Sequence, residues 1–322
     1  MTLPATVYQG IQVGVESTAG TPVAANKKLL SVTMKPSPQT ETSPFRAMGN
    51  KYASFVSLNK EWTSINIEGQ PTFNEIVYLL SGLMHYAEPV QQGATAAYKW
   101  TFVSNTSAAD VGKTFTIEQG DASRAWRVAG ARVSGLTFDF GRNEVRVSGN
   151  GVGEQLETGI NLTSTPTALS PVPILPTMLK FYMADTQAAL GATALTNSFS
   201  MQWSLTDKFG LAWPVGQDAV AVEGEPNASG KIVIATDIAG LALIATMRAA
   251  STKWFRIEAT GAEIASPHNH KLTIDFPAQI EAVGDPSDTD NVYTMEFGLK
   301  PIHDATWGKS VSIEVITNLK AL

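Results

Sequence analysis

The chain has 322 residues, more than one ordinary domain of roughly 100 to 200 residues, so two structural units are the first expectation. Its 43% hydrophobic and 16% charged residues suit a protein that folds around a core. A balance of 23 basic against 29 acidic side chains leaves a net charge of -6, which speaks against gripping nucleic acid, and the lack of cysteine excludes disulfides, thiolate catalysis and Cys-ligated zinc.

The opening Met1-Thr2-Leu3-Pro4-Ala5-Thr6 has neither the basic start nor the apolar run of a secretory signal, so export is not expected. A strand is predicted at Leu30 to Lys35, followed by a Gly/Pro-punctuated excursion from Pro36 to about Lys60. Ser64-Ile-Asn-Ile-Glu68 then alternates apolar and polar residues with the period of a half-buried strand. Next comes a helix, with Phe73, Ile76, Val77, Leu80, Leu83 and Met84 on one face and Thr72 and Glu75 at the spacing of a capping box. Alternation returns at Lys99 to Phe102, Thr114 to Glu118, Leu136 to Phe140 and Glu144 to Ser148, the last two within a long antiparallel pair over 124–152.

Between Gln155 and Met178 stand Pro166, Pro171, Pro173 and Pro176 among small polar residues. This composition predicts an extended linker, dividing a first unit (1–154) from a second (179–322). The second half repeats the order of parts: a strand at Ser198 to Leu205, an excursion from Asp207 to about Gly230, and a helix from Asp237 to about Ala250. Thr236 is the predicted N-cap, with Ile238, Leu241, Ile244, Ala245 and Met247 as the apolar stripe. At thirteen residues the run 238–250 falls short of the ~20 needed to span a bilayer. Strands at Trp254 to Ile257, an antiparallel pair over 270–300 and a last strand at Ser310 to Val315 complete the chain, which reads as mainly β. Leu136-Thr-Phe-Asp-Phe140 and Leu272-Thr-Ile-Asp-Phe276 look alike but lie too close for that alignment, and the likeness is read as coincidence.

Residues able to do chemistry are few. Of the four histidines, His85 ends the first helix, where an imidazole can meet terminal carbonyls, and His303 lies in a turn without an evident partner. His268 and His270 have the spacing of a metal pair on a strand, but no third ligand stands near, so a polar hairpin tip is the reading adopted. Asp285-Pro-Ser-Asp288-Thr-Asp290-Asn291 offers oxygen ligands for calcium, yet lacks the glycine and distal glutamate of an EF-hand and reads as a turn. Gly149-Asn-Gly-Val-Gly153 precedes no helix on which a phosphate could rest, and reads as a strand end. No nucleophile and base stand at a catalytic spacing, so neither enzyme activity nor a metal or cofactor is expected.

Gly14-Val-Glu-Ser-Thr-Ala-Gly-Thr-Pro22, the strand Leu30 to Lys35 and Ile65-Asn-Ile-Glu-Gly-Gln-Pro-Thr-Phe-Asn-Glu-Ile-Val-Tyr-Leu-Leu80 resemble the opening of the tail tube (major tail) proteins of long, non-contractile-tailed bacteriophages, over Tyr8 to Tyr86. Lys180 to Asp185, Gly191-Ala-Thr193 and Asp290 to Phe297 extend that resemblance through the second half. It implies two tandem β-sandwich or rolled-sheet units, each flanked by one α-helix with inward residues such as Phe73, Ile76, Leu80, Leu241 and Ile244. It further implies rings stacked into a hollow tube for DNA delivery, located in the virion and assembled in the host cytoplasm. Expected partners are further copies of the chain, tape measure, tail terminator and tail-tip proteins, and DNA in passage, with no membrane insertion.

If six tube units close a ring, a chain with two of them needs three copies. Phe45, Met48, Tyr52 and Phe55 have no local core on the excursion 36–60, so the expectation is an arm buried between rings, with a self-packed Ω-loop as the alternative. Two other readings stand beside the tube. A contractile injection system uses similar tube proteins, though as single units. A two-domain β-sandwich adhesin or carbohydrate-binding protein would place Trp203 or Trp213 at a sugar platform.

Overall fold

The structure, a computed structural model, describes residues 10–121, 124–216 and 219–322. The readings placed on Met1 to Thr6 and on Tyr8 lie outside the described residues. In chain order the first half contains β1 (Gly10–Val15), β2 (Lys27–Leu29), β3 (Val32–Phe45), β4 (Phe55–Gly69), α1 (Glu75–Leu83), β5 (Val90–Gln91), β6 (Tyr98–Val103), β7 (Phe115–Asp121), β8 (Arg124–Gly141) and β9 (Val145–Gly153). The short strands β10 (Glu157–Thr158) and β11 (Thr167–Ala168) follow. The remainder contains β12 (Leu179–Ala184), β13 (Ser198–Thr206), β14 (Phe209–Ala212), β15 (Val220–Glu223), β16 (Asn227–Ala235) and α2 (Ile238–Arg248). It closes with β17 (Lys253–Ala265), β18 (His268–Val283), β19 (Ser287–Thr289), β20 (Val292–Pro301) and β21 (Ser312–Thr317). The protein is mainly β, as the alternation predicts.

Eight strands lie side by side in the order β3, β4, β9, β8, β13, β16, β20, β18, every neighbour antiparallel. Successive residues of a strand point to opposite faces, and cross-strand partners share a face, so the sequence alternation divides the sheet into two surfaces. Met34, Ile67, Val147, Phe138, Trp203, Ile232 and Phe297 are buried on one face. Phe138 stacks on Trp203 at 6.0 Å between ring centres, across the junction of the halves. Each such side chain contributes about 1.5–3 kcal/mol when fully buried.

Two further strand groups cover this apolar face. β1 pairs β2 and β7, and β7 continues onto the first part of β8, which also holds β10. β12 pairs β17, β17 continues onto the first part of β18, and that part also holds β21. β6 from the first half pairs β21 from the second, so strands of the two halves pair at two places, β8–β13 and β6–β21. The Leu136–Phe140 and Leu272–Phe276 pentapeptides sit in different surroundings, the former between β9 and β13 and the latter between β17 and β21.

The excursion 36–60 is a hairpin, not a loop: β3 and β4 stay paired from Val32↔Gly69 out to Phe45↔Phe55. Proline is no obstacle because β3 is an edge strand bonded only to β4, where a missing N–H on the open side deprives no partner. Gly149 to Gly153 form the C-terminal end of β9, as the sequence reading has it. A Cβ on Gly149 would stand 2.3 Å from the Gly135 carbonyl oxygen, so the glycine permits the close crossing of β8 and β9.

Helix α1 is enclosed rather than flanking, with all nine residues buried. Phe73, Ile76 and Leu80 lie in the core as expected. Half of the capping box forms, since the Thr72 hydroxyl accepts the Glu75 N–H at 3.1 Å. The Glu75 carboxylate does not return to the helix start. It accepts the backbone N–H groups of Leu30, Ser31 and Val32 and the Ser31 hydroxyl, tying α1 to the turn between β2 and β3. Each of these bonds satisfies a backbone donor of that turn, which is why the side chain is held there.

Helix α2 begins one residue later than predicted. Asp237 rather than Thr236 is the N-cap, accepting the Gly240 N–H at 2.7 Å. Its inward stripe is Leu243, Ile244 and Met247, while Leu241 remains 48% exposed and Ile238 90% exposed. The sequence is apolar around most of this helix, so docking selects the face. Gly240 lies on that face, against the Ala235 carbonyl oxygen.

The segment 155–178 runs along the first half. Thr167 and Leu169 donate N–H bonds to Asn26 and Lys28, Phe73 donates to Val172, and Ile174 donates to Pro71. No helix among the described residues is long and apolar enough to cross a membrane.

Glu75→Ala should therefore strand three backbone donors and lower stability by about 3 kcal/mol or more, read from the denaturant midpoint. An unchanged midpoint would contradict the role assigned to this carboxylate.

Candidate functional site

Three features of the surface have a form that packing alone does not require: the polar face of the eight-stranded sheet, its two open edges and the β3–β4 arm. On the polar face, Lys35 meets Glu68 at 2.7 Å, Arg146 meets the same carboxylate at 3.7 Å, Gln202 donates to Asp139 at 2.5 Å and Lys231 meets Glu296 at 3.0 Å. Lys35, and secondarily Arg146, hold the Glu68 carboxyl below the usual range. The three ion pairs are solvent-exposed and contribute little stability. Their effect is to leave the face polar with its cations already engaged by carboxylates or amides.

The edges of the sheet are not equivalent to its middle. Leu136 to Gly141 of β8 is paired on both sides, by β9 and by β13. Gln279 to Val283 of β18 has a strand on one side only, β20, and β3 has only β4. One edge strand therefore stands at each end of the row. Pro36 and Pro38 remove two donors from β3, which blunts its open edge against indiscriminate pairing.

The arm carries all four residues singled out in the sequence. Phe45, Met48, Tyr52 and Phe55 are exposed, together with Val56 and Leu58. Phe45 and Phe55 stack at 5.0 Å and close the hairpin end, while Met48 and Tyr52 lie on the turn beyond. Six large apolar side chains on one projection form a patch that water disfavours. Phe73, Ile76 and Leu80, in contrast, are core residues, Ile244 packs partly against the core, and Leu241 faces outward.

A second excursion, 207–226, leaves the sheet at the same end but folds back. Within it β14 pairs β15, and Trp213 meets Trp62 edge-on at 5.5 Å with Lys60 4.8 Å above its ring, bracing the arm base. Lys208 anchors this fold. Its side chain is 0% exposed, pairs with the equally buried Asp110, lies 3.8 Å from Glu223 and donates to the Ser104 hydroxyl at 3.0 Å. The Arg132 guanidinium stacks 3.6 Å over the Phe209 ring. None of this was legible in the sequence, because Lys208 and Asp110 are 98 positions apart and nothing local distinguishes either one.

The remaining candidates resolve into structure. His85 accepts the Val111 N–H at Nδ1 instead of meeting helix carbonyls, because the 104–113 loop lies over it. His270 is buried against Phe73, ring centres 5.5 Å apart, and burial pushes its pKa down. Asp285 to Asn291 is a hairpin connection in which β19 pairs β20, and the Asp288 carboxylate accepts the Asn291 N–H. Asp290 and Asn291 take φ of 54° and 63°, the left-handed values a two-residue turn needs. No cluster of three metal-ligating side chains occurs among the described residues. Trp203 is fully buried and offers no sugar platform. Compared with known proteins, the chain matches no family model and no curated protein.

Asp110→Ala should leave Lys208 buried and poorly paired, lowering stability by about 3–5 kcal/mol. Asp110→Leu combined with Lys208→Met should recover most of that in thermal unfolding; equal losses in both would contradict the pairing account.

Proposed function

We propose that this protein is a structural subunit of a bacteriophage tail tube, assembling through strand pairing into rings that stack as a hollow conduit for DNA. The observation that carries the proposal is the eight-stranded sheet with a doubly paired strand at its centre and an open strand at each end.

A duplicated unit accounts for that sheet. In the first half the pairing runs β1, β7, β8, β9, β4, β3; in the second it runs β12, β17, β18, β20, β16, β13. A helix follows β4 and another follows β16, and β10 and β21 dock at matching places on β8 and β18. On this reading the β8–β13 junction is the contact between two units of one chain. β18 of one copy then meets β3 of the next in the same manner. Such a contact joins different surfaces head to tail and can close into a ring, leaving no edge exposed.

The polar face supports a conduit. Facing inward, it would present a duplex with Lys35, Arg146 and Lys231 already engaged by carboxylates, so phosphates would find few free cations to hold them. The proposal assigns the protein to the virion, with no catalytic role.

Negative-stain microscopy of the purified protein tests this reading. Rings or tubes with a central hole are expected. Discrete monomers that bind sugars on a glycan array would replace it with the adhesin.

A further inference from the structure

The register of the sheet places the arm and one surface groove at opposite ends of the same sheet. β4 and β9 pair from Gly69↔Val147 to Thr63↔Gly153, and the arm continues beyond Thr63. At the other end, the turn between β8 and β9 and the turn between β19 and β20 border a groove of about 520 Å³. That size lies within the ~300–1,000 Å³ of clefts that enclose bulky groups.

Groove and arm tip complement each other. Half-buried Phe199 and Val233 supply apolar lining. Asp139, Glu144, Asp290 and Glu296 outnumber the two cations there, Arg142 and Lys231, the latter already paired with Glu296. The tip, 45–55, carries Arg46 and Lys51, no acidic residue, and exposed Phe45, Met48, Tyr52 and Phe55. From Thr40 to Phe45 the arm adds about 20 Å beyond the body of the sheet, enough to enter a copy placed end to end.

We propose that the β3–β4 arm tip of one copy docks in the groove bordered by Glu144, Asp290 and Phe199 of a second copy, so that copies join head to tail along the strand direction. This rests on the tube reading for its setting and supplies the receptor of the arm. A contact between different surfaces at opposite ends repeats without closing, which generates a stack. Apolar burial draws the tip in, and the charges select its orientation and partner.

The natural chain has no cysteine, so an introduced pair reports this contact cleanly. Lys51→Cys with Glu144→Cys in one chain should, on mild oxidation of the full-length protein, give a ladder of linked multimers. Neither change alone should give more than a dimer. Both positions are exposed, so the fold is not disturbed. Adding Arg46→Glu should reduce the ladder at least tenfold, and Asp290→Lys should restore it. Absence of a ladder, or one indifferent to Arg46→Glu, overturns the proposal. Rings that stack without a ladder would remove this groove and keep the tube, whereas a ladder from protein that never forms hollow rings would keep the contact and remove the tube.

Discussion

Strand β8 is the element on which the molecule depends. Its first part belongs with β7 and β10, and its second part is held between β9 and β13, so one strand of 18 residues links the layer above the core, the first half of the sheet and the second half. Trp203 and Phe138 make the junction part of the core, with both rings fully buried where the halves join. Separating the halves would therefore expose aromatic surface as well as break a strand ladder. On that ground the junction behaves as interior rather than as a contact between loosely tethered domains.

Regular alternation made much of the fold legible. Strands such as Ser64–Glu68 and Leu136–Phe140 fall where period-two patterning puts them, because one face of each meets a core and the other is more exposed, while Thr114–Glu118 keeps the alternation although both of its faces are buried. The patterning does not say which strand pairs with which. The β8–β13 and β6–β21 pairings are long-range and leave no local trace. Proline misled the reading of 36–60, since Pro36, Pro38 and Pro44 signal a loop unless the strand is known to lie at an edge. In α2 an excess of apolar residues around the helix hid the inward face, and Gly240, the residue that permits close approach, carries no hydrophobic signal.

The surface features differ in how they could be recognised. Phe45, Met48, Tyr52 and Phe55 stood out because large apolar residues in a polar, turn-rich stretch have no neighbours to cover them. The groove bordered by Glu144, Asp290 and Phe199 draws on five separate strands and could only emerge from the fold. Lys208 and Asp110 are the extreme case, two ordinary charged residues whose burial against one another holds an excursion of the second half onto the first. The two excursions therefore differ: β14 and β15 are held against the first half of the chain, whereas the β3–β4 hairpin carries exposed apolar side chains at its end.

The central claim is that the open edges at β3 and β18 repeat, between copies, the contact that β8 and β13 make within one chain. Counting chains in an isolated ring, by native mass measurement or cryo-microscopy, tests it most directly. Three chains arranged with pseudo-sixfold symmetry are predicted. Six chains per ring, or a protein that remains monomeric with both edges free, would contradict it.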